Sequence, residues 1–453
     1  MAQTNTTIPT KSVGDQLTSA EFNELNSVVN TNSADAEPRL TSIETTNASI
    51  DSRLTAVETL PNTVPSFENA NLPQTAANGS VAYDTDNGII AYHKDGAWYK
   101  FSDNSEDIFV VIGDGLVFSV KTDNPGTSSS TSFTLPLING QTYNFVVKWG
   151  DGVEETITSD AELTHDYGTA GTYNVIITGS ISGIIFNGGG DADKMVEITD
   201  MTGLTYPADG TGAFLGCNNL VFASGLTPAD TSSTNDFQWF FKDCDAMVTP
   251  PLIDTSNGIA FFGMFRDCES VLTMPAYDFT GVPASGNTNP FRDAFRGMTS
   301  ITSFDAVTWG DVGTDLRTMF HSCGNLLTVP SFDTSRVTAM RDTFMNCTSI
   351  VTFPFKSTGN ITTFENAWFG CSSLTNFPLL DLSSGTNFAK SWQLCALNSA
   401  SIDNILAALV ANGTAGLQTN LSGGSTIPES SFSTQAQADI ATLRANGWTV
   451  QTN

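Results

Sequence analysis

Apolar residues return at a fixed interval through the second half of this chain. Cysteines stand at Cys217, Cys244, Cys268, Cys323, Cys347, Cys371 and Cys395 and nowhere else, and the last three steps are 24 residues each. The one long gap, from Cys268 to Cys323, holds Met298 in the missing place. Counting these eight residues as slot 0, an aromatic occupies slot −3 in every unit, from Phe214 through Phe320 and Phe344 to Trp368 and Trp392. Slot −7 is apolar in every unit but the first (Phe237, Phe261, Phe291, Leu316, Met340, Phe364, Phe388), and slot +3 carries Leu, Met, Val or Ile up to Leu374. Slots −7, −3 and 0 have i, i+4, i+7 spacing, which predicts one face of a short helix. A turn follows, then a short extended piece such as residues 351–353, stopped in five units by proline, which cannot continue a ladder.

A period of this length marks a stack of units, none of which can bury its own apolar face alone. Each slot then becomes a ladder: Phe on Phe, Cys on Cys, Leu on Ile. Eight units at strand spacing would span roughly 40 Å. The pattern of residues 319–340 (MFHSCGNLLTVPSFDTSRVTAM) and 343–364 (TFMNCTSIVTFPFKSTGNITTF) resembles the BspA-like leucine-rich-repeat family of bacterial surface proteins. The resemblance covers about 200 residues and implies an interaction scaffold, with no chemistry attached.

A second periodic stretch lies near the start. With Leu40 at heptad position a, the a and d positions are Leu40, Ile43, Asn47, Ile50, Leu54 and Val57, and Pro61 ends the run. In a parallel pairing Arg39 would meet Glu44 and Arg53 would meet Glu58, both of opposite sign, which supports a parallel in-register homo-oligomer. A buried Asn47 layer would set the register. The competing reading is a monomeric amphipathic helix. Before it, Thr18 and Glu21 form a capping box for a short helix faced by Phe22, Leu25, Val28 and Val29.

Residues 79–100 alternate as a three-stranded meander, with Asn87 and Gly88, then Asp95 and Gly96, supplying hairpin turns. The segment VGDQLTSAEFNELNSVVN, the heptads and this meander together resemble the N-terminal regions of bacteriophage fibre proteins. That likeness implies a homotrimer, with the tail attached to other virion proteins. Residues 143–152 end in Trp149, Gly150, Asp151 and Gly152, and residues 165–179 carry His165, Tyr167, Gly171 and Tyr173. These resemble the polycystic-kidney-disease-type β-sandwich, although Asp166 stands between His165 and Tyr167. The resemblance implies a spacer, or a cap over the first repeat unit. After the repeat, residues 401–411 read as a helix with Gly413 as its C-cap; a second helix runs from Ser433 (N-cap) to Gly447, and residues 448–450 read as a last strand.

The expected architecture is therefore a multi-domain chain of mixed α and β: residues 1–33 attachment tail and short helix, 34–61 coiled coil, 62–106 meander, 107–197 β-sandwich, 198–397 α/β leucine-rich-repeat-like solenoid, 398–453 C-terminal cap. Composition sharpens this. The net charge of −29, from 47 acids against 18 bases, argues against nucleic-acid binding, which needs a basic footprint. No run of 18 apolar residues exists, so no membrane insertion is expected, and the start of the chain has no apolar core of a secretory signal. A surface-type repeat without a visible export signal fits a virion protein assembled in the host cytoplasm. An odd number of cysteines confined to one slot reads as core rather than a disulfide framework.

Chemistry is not written into these motifs. The histidines, His93, His165 and His321, fall in unrelated modules and read as surface or loop residues. Asp254, Asp278, Asp333 and Asp381 recur ten residues after slot 0 and read as turn formers. Residues 188–193 (GGGDAD) read as a loop, with calcium binding through carboxylates as the alternative. No enzyme and no cofactor are expected. Trp239, Tyr277 and Trp309 are large aromatics outside the ladder slots; they are the candidate ligand-binding residues, with core burial as the competing reading. The expectation is a homotrimeric phage fibre, a tail fibre or receptor-binding protein, whose repeat binds a bacterial surface glycan or protein. A capsid-attached head fibre, a bacterial adhesin and a glycan-degrading tailspike are the alternatives.

Overall fold

In the computed structural model, residues 115–453 are described except for 162, 285–288 and 356. Before them only the backbone of six strands is described: β1 Gln16–Thr18, β2 Thr63–Phe67, β3 Val81–Asp84, β4 Ile89–Lys94, β5 Ala97–Phe101 and β6 Phe109–Ile112. The chain divides into two compact units, Met1–Gly113 and Asp114–Asn453. The heptad residues Leu40, Ile43, Asn47, Ile50, Leu54 and Val57 lie outside the described residues, as does the short helix expected before them.

In the first unit the strands form one sheet in sequence order, β1 to β6. β3, β4, β5 and β6 pair antiparallel in succession, while β2 and β3 run parallel. Two residues separate β4 from β5, with Lys94 opposite Ala97.

The second unit begins as a sandwich. One layer has strand order β10-β9-β12-β7-β13-β15, built from β7 Gly115–Lys121, β9 Asn144–Lys148, β10 Glu154–Ile157, β12 Thr172–Ser182, β13 Met195–Met201 and β15 Val221–Phe222. The other is the antiparallel pair β8 Ser132–Leu135 and β11 Leu163–Asp166. Alternation decides which side chains enter: Phe145 and Val147 of β9 are buried, and Phe118 of β7 meets Phe133 of β8 across the layers at 6.0 Å between ring centres.

No boundary separates sandwich from repeat. The expected division at 197/198 falls inside β13, which pairs antiparallel with β7 on one edge and parallel with β15, from the first repeat unit, on the other. β14 (Leu204–Thr205) likewise adds parallel to β12. The sandwich sheet therefore runs directly into the stack, and both share one buried core.

The repeat units hold a surprise for the helical spacing. Slots −7 to 0 are a string of turns, and none of them is a helix. Slots −5 and −1 are left-handed in all eight units: φ is 51–70° from Gly212 to Lys390 at slot −5, and 59–79° from Gly216 to Leu394 at slot −1. A left-handed residue every four positions prevents the helical ladder from propagating. The amides then divide their bonds. Even slots donate three residues back within the unit, as Cys244 does to Phe241 at 3.2 Å. Odd slots donate to the next unit: Phe237 to Ala260, Trp239 to Phe262, Phe241 to Met264 and Asp243 to Arg266, at 2.8–2.9 Å. The expected helix is corrected to a stacked turn, because Gly, Asp, Asn and Ser at slots −5 and −1 favour the left-handed region.

The apolar slots still point inward. At slot −3 the rings of Phe214, Phe241, Phe265, Phe295, Phe320 and Phe344 stack in succession at 5.4–6.1 Å, close to parallel. Each offset aromatic pair adds about 0.5–1.5 kcal/mol beyond its burial. All seven cysteines are free and buried. From the second unit on, the thiol donates to the carbonyl of the slot −3 aromatic one unit earlier: Cys244 to Phe214, Cys268 to Phe241, Cys347 to Phe320, at 2.9–3.2 Å. Burial pushes these thiols up, Cys395 to about 12.

Two helices close the far end. α1 (Ser399–Asn412) starts at Asn398, whose side chain accepts from the Ser401 amide, and stops at left-handed Gly413. α2 (Thr434–Ala445) is capped by Ser433, and β17 (Thr449–Gln451) pairs parallel with β16 (Gln418–Asn420). Phe388 of the last unit bridges to Thr419, so the cap takes up the open backbone edge of the stack.

Candidate functional site

Slot −8 carries a residue that caps its own turn in four of the eight units, and Ala339 of the sixth has no capping group. Asp209, Asp236, Asp315 and Asn387 each accept from the amide two residues on, at 2.9–3.1 Å. The third and fourth units carry Ala260 and Pro290 there instead, which have no capping group. A recess of about 270 Å³ opens at this place, lined by Gln238, Ala260, Phe262, Asn289, Pro290 and Arg292.

Phe262 is one wall. It stands at slot −6, otherwise Thr, Gln, Arg, Glu or Ala, so it is the one aromatic in that outward row. Its ring is half-buried, lies tilted 5.5 Å from that of Trp239, and has the Arg292 guanidinium 5.5 Å from its centre. Arg292 also faces Asp293, 3.7 Å away, and Arg296 lies at the same distance from that carboxylate. Asp293 is 5% exposed, yet its Oδ1, like Arg292 Nε, makes no hydrogen bond.

Of the three aromatics read from the sequence, two are half-buried and one is fully buried. Trp239 is half-buried beside Phe262. Tyr277 is corrected: it is fully buried and its hydroxyl donates to the Pro251 carbonyl at 2.6 Å, so it offers no face to a ligand. Trp309 is half-buried, like Trp239. It packs against the core with six phenylalanine rings 5.4–6.4 Å away. Phe262 was hidden in the run AFFGMF, where its neighbour Phe261 takes the ladder slot.

The GGGDAD loop is a clasp. Asp191 is 1% exposed and accepts from the Ser128 amide, the Ser128 hydroxyl and the Thr134 amide at 2.7–3.0 Å. Lys194, fully buried, places its ammonium among the carbonyls of Ser128, Ser129 and Ser132 and the Ser128 hydroxyl at 2.6–3.3 Å. A tethered cation thus occupies the oxygen cage that a calcium reading would fill. Beside it an acidic groove of about 410 Å³ runs past Asp193, Asp243, Asp245, Asp267 and Glu269. Partial burial, then Glu269 and the other acids, raise the Asp245 carboxyl above its usual range. Among the described residues no group of three or more His, Cys, Asp or Glu is placed to hold a metal ion.

His165 is corrected from surface to interior. It is 8% exposed, stacks on Trp149 at 4.7 Å, and bonds Asp151 at 2.8 Å. Asp151 also accepts from the Val153 amide, so the Trp149 to Gly152 turn is locked from within. The recurrent Asp254, Asp278, Asp333 and Asp381 accept from amides two residues on at 2.8–3.0 Å. Those bonds hold Asp333 and Asp381 below the usual carboxylate range.

A separate outward row runs along slot +4, where Val248, Leu272, Leu327 and Val351 are 43–57% exposed. Among the described residues no helix is long and apolar enough to cross a membrane. No family model, no curated protein and no solved structure matches the chain.

Proposed function

We propose that this protein is a structural fibre of a bacteriophage particle, a homotrimer that turns its stack of turns toward the host cell and adheres through it. The observation that carries this reading is the unbroken run of backbone bonds and buried rings from the sandwich to the terminal cap. Such a body is stiff and bears outward rows of side chains at a constant spacing, which suits display. Its polar groups are largely engaged in holding turns and joining units. The N-terminal likeness to phage fibres supplies the virion and the trimer, and three copies on one stalk would raise weak contacts by avidity.

The test uses the full chain, fluorescently labelled, on a panel of bacterial cells, with its mass measured by light scattering. Adherence to a subset of the panel by a particle of three chains is the expected result. A single-chain mass, or no adherence to any cell, would overturn the reading.

A further inference from the structure

The recess beside Phe262 departs from the repeat in its lining and in the residue behind its aromatic wall. Slot −5 is left-handed in every unit, and Trp239, φ 54°, is the one aromatic placed there. The same slot is Gly212 and Gly263 in the neighbouring units. A Cβ on Gly263 would come within 2.7 Å of the Trp239 ring, so the next unit is shaped to receive it. Next to it, Phe262 puts a ring where the row is otherwise polar or small, and two successive units, with Ala260 and Pro290, lack a capping side chain.

We propose that this recess binds a carbohydrate, one pyranose ring of a cell-surface glycan. The proposal rests on the reading that the stack faces a bacterial surface, and it names the ligand and the site. The chemistry favours a sugar over a protein side chain. At about 270 Å³ the recess falls just below the ~300–1,000 Å³ usual for small-molecule sites. Its rim mixes an aromatic wall with planar hydrogen-bonding groups: the Gln238 and Asn289 amides and the Arg292 guanidinium. The ring suits the apolar C–H face of a pyranose. The flat polar groups suit adjacent hydroxyls, which need paired donors and acceptors. Gln238 is oriented by its bond to Asp236 Oδ2 at 2.9 Å, and Arg292 by Phe262 and Asp293. A protein partner would instead favour the exposed aliphatic row at slot +4.

Substitutions borrowed from the repeat separate binding from folding. Trp239→Gly restores the glycine of neighbouring units, and Phe262→Gln the residue found one unit earlier. The probe is a set of methyl glycosides (glucose, galactose, mannose, rhamnose, N-acetylglucosamine and glucuronic acid), read by saturation-transfer NMR on the full chain. At least one glycoside is expected to give signal, with Phe262→Gln weakening it about 10-fold or more, as loss of an anchor contact does, and Trp239→Gly weakening it less by freeing the Phe262 ring, while the melting temperature holds. The absence of signal from every glycoside overturns the proposal, as does signal that both substitutions leave intact. Cell binding separates the two readings. Adherence that survives both substitutions, or that protease treatment of the cells abolishes, sinks the sugar site and leaves host binding standing. Glycoside binding without adherence to any cell keeps the site and sinks the fibre reading.

Discussion

The sandwich and the turn stack share one core yet are held in opposite ways. In the sandwich the decisive contacts occur once: Lys194 in its oxygen cage, Asp191 across from it, His165 between Trp149 and Asp151. In the stack the decisive contacts recur in unit after unit: a ring on the next ring, a thiol on the previous carbonyl, odd-slot amides on the following unit. A unique contact has no neighbour to share its loss. A repeated one has copies on either side, so damage stays local. The recess beside Phe262 sits in the stack but follows the first rule, since Phe262 and Pro290 break the repeat.

The sharpest way to break this comparison is Lys194→Met. It leaves the Asp191 carboxylate buried without its cation, and removing one partner of a buried pair costs about 3–5 kcal/mol. Denaturant unfolding of the full chain should show a loss of that size; a loss below about 1 kcal/mol would mean the clasp is not what joins the loop to the sandwich. Next comes Cys347→Val. It deletes the thiol bond to Phe320 and adds a methyl group, while the Cys323 amide still serves that carbonyl at 3.1 Å. The expected cost is about 1–2 kcal/mol, with near-identical values for Cys371→Val if the units are equivalent.

The far end gives a smaller and pH-dependent effect. The Arg444 fork and Thr452 hold Glu429 down to about 2, from an ordinary 4.5. A depressed carboxylate stabilises fully above its unfolded pKa, and that share is lost as pH falls from about 4.5 through about 2. Melting curves of wild type and Glu429→Gln should differ at pH 6 and converge near pH 2. The difference should stay within about 1 kcal/mol because the pair is partly exposed. Smallest of all is Trp239→Gly: it relieves a left-handed Trp, so stability should stay level within about 0.5 kcal/mol, gain or loss. A clear loss would turn Trp239 into a packing residue. The thiols supply a control: seven free, buried cysteines should resist a thiol reagent in the native chain and all react after denaturation.

The interval of the repeat, its inward slots and the turn-forming aspartates were legible because burial and turn chemistry act through residue type at fixed spacing. The i, i+4, i+7 pattern misled for a physical reason. A helix and a run of four-residue turns place the same slots on one side, so apolar spacing alone cannot separate them. The discriminating signal was present in the other residues, Gly212 and Gly216, Asp342 and Asn346, Asn366 and Gly370, four apart and suited to positive φ. For the aromatics no such signal existed. Tyr277 and Trp309 look like Trp239 in one dimension, and the depth of each depends on neighbours 20 to 30 residues away, such as Pro251, Phe332 and Phe262.

Residue order alone determined the period, the composition of the interior and the sites where turns form, since these follow from local chemistry repeated along the chain. Only the tertiary structure decided which amides bond within a unit and which to the next, that the sandwich sheet continues into the stack, and that Lys194 sits in the cage of Ser128, Ser129 and Ser132. It also decided that Ala260 and Pro290 leave a recess beside Phe262. Those outcomes depend on distances between residues far apart in sequence, set when the units close on one another.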